Sequence, residues 1–207
     1  MFESIKLYGI LDLAYVTAEK AGAAAARMLD GGVGILQLRA KSWSEAEIAR
    51  LAEKIQPLCA AAGVPFILND FPQLVPLVGA DGAHVGQDDL SVAEARRRAG
   101  VGKLIGKSTH SLAQAETAVA EKPDYLGFGP LFATQTKPDY VPIGIADIAE
   151  VHRRVSLPIF CIGGIKLENL PTVLAAGAQR VVIVSGILAA SDPVAYIKAC
   201  RNLLTPA

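Results

Sequence analysis

The feature that most constrains the fold of this chain is a regular alternation between short apolar, β-rich runs and longer stretches of helical period. Eight such runs occur, at 6–11, 34–39, 65–70, 82–86, 103–108, 124–129, 158–163 and 180–185. Between them, apolar residues recur with the period of an α-helix. Strands that alternate with helices form parallel sheets, because each helix returns the chain to the starting edge of the sheet. Eight strands predict a closed (β/α)8 TIM barrel, formed by residues 1–207 as a single domain.

Three serine-initiated sequences predict where helices begin. They are Ser44–Glu47, Ser91–Glu94 and Ser111–Gln114. In a capping box of this kind, the serine hydroxyl and the side chain three residues later each bond a backbone N–H group. The third connection, FPQLVPLVGA, leaves room for only a short helix.

Charge and hydropathy exclude several kinds of partner. Twenty Lys and Arg residues balance twenty Asp and Glu residues, so no overall field favours nucleic acid or an anionic membrane. No apolar run reaches the roughly 18 residues of a membrane span, and the N-terminus lacks the pattern of a signal peptide. The three cysteines lie in apolar or helical contexts, as expected of reduced, buried thiols. We expect a soluble cytoplasmic protein, and the sequence leaves its oligomeric state open.

Cationic and polar residues end the second predicted strand. Gln37, Arg39 and Lys41 alternate there, so they project to one side, while Ala40 turns towards the helices. Barrels of this type place their active sites at the C-terminal ends of the strands. We therefore predict that these three side chains face a binding site.

Acidic residues follow the third and fourth strands. Asn69 and Asp70 end one, and Asp89 follows the other; Asn and Asp are also ordinary turn residues, so a purely local role is the alternative. Mg²⁺ takes one or two protein carboxylates and completes its shell with water and substrate phosphates. Two carboxylates at neighbouring strand ends, opposite cations, favour a magnesium site.

A long loop, from about residue 129 to residue 143, follows the sixth strand. It carries Thr134, Thr136 and Lys137, which offer hydroxyl donors and a positive charge to an anion. Connections in such barrels usually have two to six residues, and long ones often contact substrate. Ser108, at the end of the fifth strand, is ambiguous between a local cap and a substrate contact.

Glycines follow the last two strands, in IGGI at 162–165 and VSGI at 184–187. Barrels often bind phosphate at this position through backbone N–H groups, which glycine allows an anion to approach closely. A turn required only by packing is the alternative for either sequence alone. The assembled residues predict a site for two anionic groups, one of them with a metal, and no nucleophile paired with a base.

The segments QLRAK, LNDF, HVGQDD, GKSTHS, DYLGFGPLFATQTK, IGGI and VVIVSGI, in this order, resemble the thiamine phosphate synthase (thiamine-phosphate pyrophosphorylase) family over essentially the whole chain. The resemblance implies a transferase of thiamine biosynthesis that joins 4-amino-2-methyl-5-hydroxymethylpyrimidine diphosphate to a thiazole phosphate. It also implies a dissociative mechanism: pyrophosphate leaves with Mg²⁺, and the thiazole nitrogen captures the resulting cation.

The resemblance assigns three groups of residues. Those implied to hold the pyrimidine diphosphate are Gln37, Arg39, Lys41, Asn69, Ser108 and Lys137, of which Arg39, Ser108 and Lys137 are the implied catalytic residues. Those implied to hold the thiazole phosphate are Thr134, Gln135, Thr136, Gly164, Val184 and Ser185. Asp70 and Asp89 are implied to bind one Mg²⁺ per active site.

One position departs from the family pattern, and two alternatives remain. The family usually has Glu where this chain has Ala40, which predicts a lost supporting contact with activity retained. A thiazole tautomerase-like paralogue shares the barrel, but tends to lack the metal carboxylates. The second alternative is a barrel without catalytic activity that binds a thiazole or thiamine phosphate.

Overall fold

The computed structural model describes residues 2, 4–134 and 141–205. Within these residues, eight parallel strands pair in chain order and close into a barrel, because β8 (Val181–Ile183) pairs back onto β1 (Leu7–Asp12). Helices connect the strands on the outside. This confirms the predicted (β/α)8 fold.

The elements follow the predicted alternation. The strands between the first and the last are β2 (Ile35–Arg39), β3 (Phe66–Asn69), β4 (Gly82–Val85), β5 (Leu104–Thr109), β6 (Tyr125–Phe128) and β7 (Ile159–Cys161). The helices within the described ranges are α1 (Ala18–Gly31), α2 (Glu45–Ala62), α3 (Val75–Val78), α4 (Val92–Ala99), α5 (Leu112–Ala120), α6 (Ile148–Arg154), α7 (Leu170–Ala175), α8 (Ser185–Leu188) and α9 (Pro193–Leu204). A 3₁₀ turn, Pro72–Leu74, precedes the short α3, as the third connection predicts.

The apolar core has two layers, because successive residues of a strand face opposite sides of the barrel wall. Outward-facing residues such as Leu36, Leu38 and Ala40 pack in the layer beneath the helices. Inward-facing residues such as Tyr8 and Phe160 fill the barrel interior. Ala40 therefore lies away from the Gln37 side of β2, as predicted.

The helix starts are correct, but two of the three capping boxes are incomplete. Ser44 and Glu47 make both reciprocal bonds. The hydroxyls of Ser91 and Ser111 accept the expected backbone bonds, but the later side chains bond elsewhere. Glu94 binds two arginines of its own helix, and the Gln114 carbonyl accepts from the backbone N–H of His110.

The three cysteines, Cys59, Cys161 and Cys200, are free and buried, as predicted. Burial raises the pKa of the Cys161 thiol to about 12. Among the described residues, no helix combines the length and the apolar character that crossing a membrane requires.

Candidate active site

The predicted site residues lie around two adjoining cavities, which we call the main cavity and the side cavity. The residues implied by sequence that line the main cavity are Gln37, Arg39, Asn69, Ser108, Thr134, Gly164, Val184 and Ser185. Those that line the side cavity are Lys41, Asn69, Asp70, Ser108 and Asp89. Asn69, His84 and Ser108 line both cavities and therefore form their common wall. Gln135, Thr136 and Lys137 lie outside the described residues, so their assignments stay predictions.

Arg39 is held at the cavity wall by a carboxylate that sequence reasoning missed. Its Nη1 lies 2.6 Å from Oδ2 of Asp12, the last residue of β1 and the register partner of Arg39. Both residues are buried, and Asp12 Oδ1 also accepts from the backbone N–H of Ala14. Because the carboxylate is itself anchored, the pair fixes the guanidinium where an anionic substrate would meet it.

We expect Asp12→Asn to lower the free energy of unfolding by about 2 kcal/mol, because a neutral amide replaces the charged partner of a buried guanidinium. Urea denaturation measures this loss. Asp30→Asn, on the outer helix α1, is the control for removing one carboxylate and should change stability by less than about 0.5 kcal/mol. Equal stability of the Asp12 variant and the unaltered protein would contradict the role assigned to this pair.

The carboxylates of the side cavity are each tied to a neighbouring group. Asp70 Oδ2 lies 3.6 Å from Nζ of Lys41, and the backbone of Asp70 is left-handed, with φ of 65°. Non-glycine residues adopt this conformation rarely, and Asp is among those that tolerate it best. Asp89 Oδ2 accepts the backbone N–H of Gly86 at 2.7 Å, which closes the turn after β4. Both carboxylates are thus held on the wall of one cavity beside a cation.

The side cavity offers carboxylates of the number that Mg²⁺ needs and, among the described residues, too few side chains to hold a metal by protein ligands alone. Among residues 4–134 and 141–205, no three His, Cys, Asp or Glu side chains are grouped so as to hold a metal ion. Mg²⁺ does not require such a group, since one or two carboxylates suffice when phosphates and water complete the octahedron. Asp70 and Asp89 meet that requirement.

A series of hydrogen bonds crosses the barrel interior, and we call it the interior chain. Nε2 of Gln37 donates to the Tyr8 hydroxyl at 2.8 Å, and that hydroxyl lies 3.0 Å from the hydroxyl of Tyr125. The Tyr125 hydroxyl lies 3.2 Å from Nδ1 of His84, whose Nε2 lies 2.9 Å from Oγ of Ser108. The interior chain thus connects Gln37 and Ser108, two residues predicted to bind substrate. The three residues between them were not selected by the sequence analysis.

The contact between Ser108 and His84 bears on one sequence prediction, that the site has no nucleophile paired with a base. A hydroxyl within 2.9 Å of an imidazole nitrogen has the separation of such a pair. The two residues lie on the neighbouring strands β4 and β5, so the sequence alone did not show that their side chains meet. Whether His84 can accept the Ser108 proton depends on where its own proton lies.

Gly106 makes room for the interior chain. A Cβ atom at this position would overlap Cζ of Tyr125 and Nδ1 of His84, the two groups that bond each other there. Packing therefore explains why glycine occupies position 106. The segment GKSTHS alone did not indicate this role.

We expect Gly106→Ala to lower the free energy of unfolding by about 1–3 kcal/mol, because the added methyl group must displace a buried ring. Gly22→Ala is the matched control: it adds the same methyl group on α1, where nothing lies within 4 Å. That variant should be stabilised by about 0.5–1 kcal/mol, since alanine is the better helix former. Thermal or urea denaturation measures both, and equal effects would show that the interior tolerates the methyl group.

The glycine pair after β7 packs closely against the loop that follows β6. A Cβ atom on Gly163 would overlap Pro130, and one on Gly164 would lie 2.7 Å from Cβ of Phe132. Both glycines have positive φ, at 99° and 64°. Packing thus accounts for these glycines, while their backbone also lines the main cavity beside Ser185. Their role in phosphate binding stays a prediction.

The matching family model and the similar sequences agree on one family. The family model described as thiamine monophosphate synthase matches residues 7–187. The thiamine-phosphate synthase of Synechococcus sp. (strain WH7803) is 45% identical over 177 residues, which are 86% of this chain and 50% of the relative. The chain therefore spans about half the length of that relative. The thiamine-phosphate synthase of Chloroflexus aurantiacus is 40% identical over 201 residues, which are 97% of this chain and 93% of the relative.

A solved structure is similar over nearly the whole chain. The thiamine phosphate pyrophosphorylase from Pyrococcus furiosus superposes with a TM-score of 0.87 at 27% identity, covering 97% of this chain and 95% of that chain. The fold and the family model thus point to the same group of proteins.

Proposed function

The chain belongs to the thiamine monophosphate synthase family, and we propose that it condenses 4-amino-2-methyl-5-hydroxymethylpyrimidine diphosphate with a thiazole phosphate to give thiamine phosphate and pyrophosphate. The observation that carries this proposal is the pair of adjoining cavities with Asn69, His84 and Ser108 as their common wall. A substrate that has a heterocycle in one cavity and a diphosphate in the other would place its scissile bond at this wall.

The side cavity is suited to the diphosphate. Lys41 supplies a cation there, and Asn69 and Ser108 supply hydrogen-bonding groups. Asp70 and Asp89 would hold the Mg²⁺, which when bound would neutralise charge on the departing pyrophosphate. Lys137, outside the described residues, would add a second cation to the same leaving group.

The main cavity is suited to the two heterocycles. It is lined by apolar and aromatic side chains together with the amide of Gln37 and the guanidinium of Arg39. Gly164, Val184 and Ser185 lie on this cavity and would hold the phosphate of the thiazole, with Thr134 and the undescribed Gln135 and Thr136. The two anionic groups would thus be bound by different sets of residues.

The proposed reaction breaks the C–O bond between the pyrimidine methylene and the diphosphate, and the electron pair leaves with pyrophosphate. The thiazole nitrogen then donates its lone pair to the methylene cation and becomes quaternary, so no proton has to be removed. Groups that bind and orient are sufficient for this chemistry, because the barrier falls when leaving-group charge is stabilised. Ser108, on the common wall, and Lys137 would provide that stabilisation, while Arg39 lines the adjoining main cavity.

Incubation of the purified protein with both substrates and Mg²⁺ tests the proposal directly, with chromatographic detection of thiamine phosphate and pyrophosphate. Omission of either substrate, and chelation of the metal, are the controls. Product that forms only in the complete mixture supports the proposal. Isomerisation of the thiazole phosphate alone would instead indicate the tautomerase-like paralogue, and ligand binding without any turnover would indicate a non-catalytic barrel.

A further inference from the structure

Two buried phenols in the barrel interior call for a physical explanation. Tyr8 and Tyr125 are 2% and 1% exposed, and their rings pack edge-on against Phe160. A phenylalanine would fill the same space without burying a hydroxyl, and a buried hydroxyl without a partner costs free energy. Since Phe160 shows that the interior accepts an unsubstituted ring, the two hydroxyls are not required for packing alone.

Each of these phenols keeps its proton. Burial raises the pKa of Tyr8, and it raises the pKa of Tyr125 well above the ordinary value for tyrosine. Each hydroxyl therefore has one proton to donate and an oxygen that accepts. Counting these protons determines the direction of the interior chain.

The starting point for the count is Gln37, whose Nε2 donates to Tyr8. If Tyr8 donates to Tyr125, then Tyr125 donates to Nδ1 of His84, and the hydroxyl protons of both phenols have acceptors. In the opposite direction, Tyr8 would accept from both Gln37 and Tyr125. Its own proton would then have no recorded acceptor among the described residues. The first direction leaves neither phenol proton unpaired and is the favoured one.

The first direction also sets the state of His84. Because its Nδ1 accepts from Tyr125, the neutral ring carries its proton on Nε2 and donates it to Oγ of Ser108. His84 in this state cannot remove the Ser108 proton, so the two residues do not act as a nucleophile and its base. The Ser108 oxygen accepts from His84, and the Ser108 hydroxyl proton is directed to a ligand.

We infer that the interior chain runs in one direction, from Gln37 through Tyr8, Tyr125 and His84, and makes Ser108 a hydrogen-bond donor to the pyrimidine diphosphate. Tyr8, Tyr125 and His84 are then positioning residues that act through Ser108. The identity of the ligand rests on the proposed function, whereas the direction of the interior chain rests on the hydrogen bonds alone.

Nitrogen-15 NMR of histidine-labelled protein without ligand tests the direction. The spectrum is recorded well above the ordinary histidine pKa of about 6.5, so that the rings are neutral. His84 should carry its proton on Nε2, with Nδ1 unprotonated and hydrogen-bonded. In Tyr125→Phe the Nδ1 resonance should shift because its donor is gone. In Tyr8→Phe, the matched loss of a hydroxyl one step further away, it should shift much less.

Two NMR results would overturn the inference. One is a His84 proton on Nδ1 in the unaltered protein, and the other is an unchanged Nδ1 resonance in Tyr125→Phe. The signal of His152, which lies on α6 outside the barrel, is an internal reference for the fold of each variant. None of these readouts requires the protein to be active.

Steady-state kinetics tests the action through Ser108. Tyr125→Phe should lower kcat/KM for the pyrimidine diphosphate about tenfold, because His84 loses the hydrogen bond that fixes its tautomer. In a Ser108→Ala background the same change should cost less than about twofold, since residues that act through one another are not additive. Equal losses in both backgrounds would overturn the positioning role. An unaltered protein that makes no thiamine phosphate would refute the proposed function. The NMR result would still decide the direction of the interior chain.

Discussion

Replacement of Asp70 or Asp89 by asparagine is expected to reduce condensation about a thousandfold, which corresponds to about 4 kcal/mol of transition-state stabilisation. The change removes one negative charge from the proposed metal site at nearly constant shape. In Asp89→Asn the amide oxygen can still accept the Gly86 N–H group that the carboxylate accepts now. The loss would therefore report on charge at the leaving group, not on a broken turn. Product formation as a function of Mg²⁺ concentration measures it.

Three comparisons make this result interpretable. Asp30→Asn, on α1, removes a carboxylate outside the barrel and should leave turnover unchanged. Asp89→Ala removes both the charge and the acceptor for Gly86, so its extra loss of stability relative to Asp89→Asn isolates the structural part. Near-normal turnover by Asp70→Asn or Asp89→Asn at saturating Mg²⁺ would refute the metal assignment.

Ser185→Asp is expected to raise the KM for thiazole phosphate steeply while changing the KM for the pyrimidine diphosphate little. Ser185 lines the main cavity, where the thiazole phosphate is proposed to bind. Two like charges about 4 Å apart near a protein surface repel by about 4 kcal/mol, which corresponds to roughly a thousandfold in affinity. The separate effects on the two substrates distinguish this site from the side cavity.

Ser185→Ala is the matched control, because it removes the same hydroxyl without adding charge. It should weaken thiazole phosphate binding by no more than about tenfold, the effect of one hydrogen bond. Calorimetry with each substrate separately gives the affinities without turnover. Equal weakening of both substrates by Ser185→Asp would mean that the two anion sites have been assigned to the wrong residues.

Much of the site could be predicted from sequence because strand ends are local features. Gln37 and Arg39 alternate on a strand, so their shared side follows from the backbone geometry of two residues per repeat. Once the barrel is predicted, the ends of its strands must converge at one rim. That is why Asn69 and Ser108, on different strands, line the same two cavities.

Predictions that depended on which partner a side chain selects were less successful. Glu94 has the spacing of a capping box, but Arg97 and Arg98 on the same helix offer a charged partner at 2.7 Å, and the carboxylate binds them instead. The sequence shows that both partners are within reach. It does not show which of them is favoured, because that depends on the side-chain geometry of the folded helix.

Periodicity and strand position act over a few neighbouring residues, so the eight-stranded barrel and the strand ends around the candidate site could be read from the sequence. How those residues are held depends on contacts between distant parts of the chain. Asp12 and Arg39 are 27 residues apart, Tyr8 and Tyr125 are 117 apart, and His84 and Ser108 are 24 apart. Asp12 and Arg39, like His84 and Ser108, meet because neighbouring strands pair, whereas Tyr8 and Tyr125 meet because the closed barrel turns separate strands towards one interior. No pattern within a single strand encodes which inward side chains will bond.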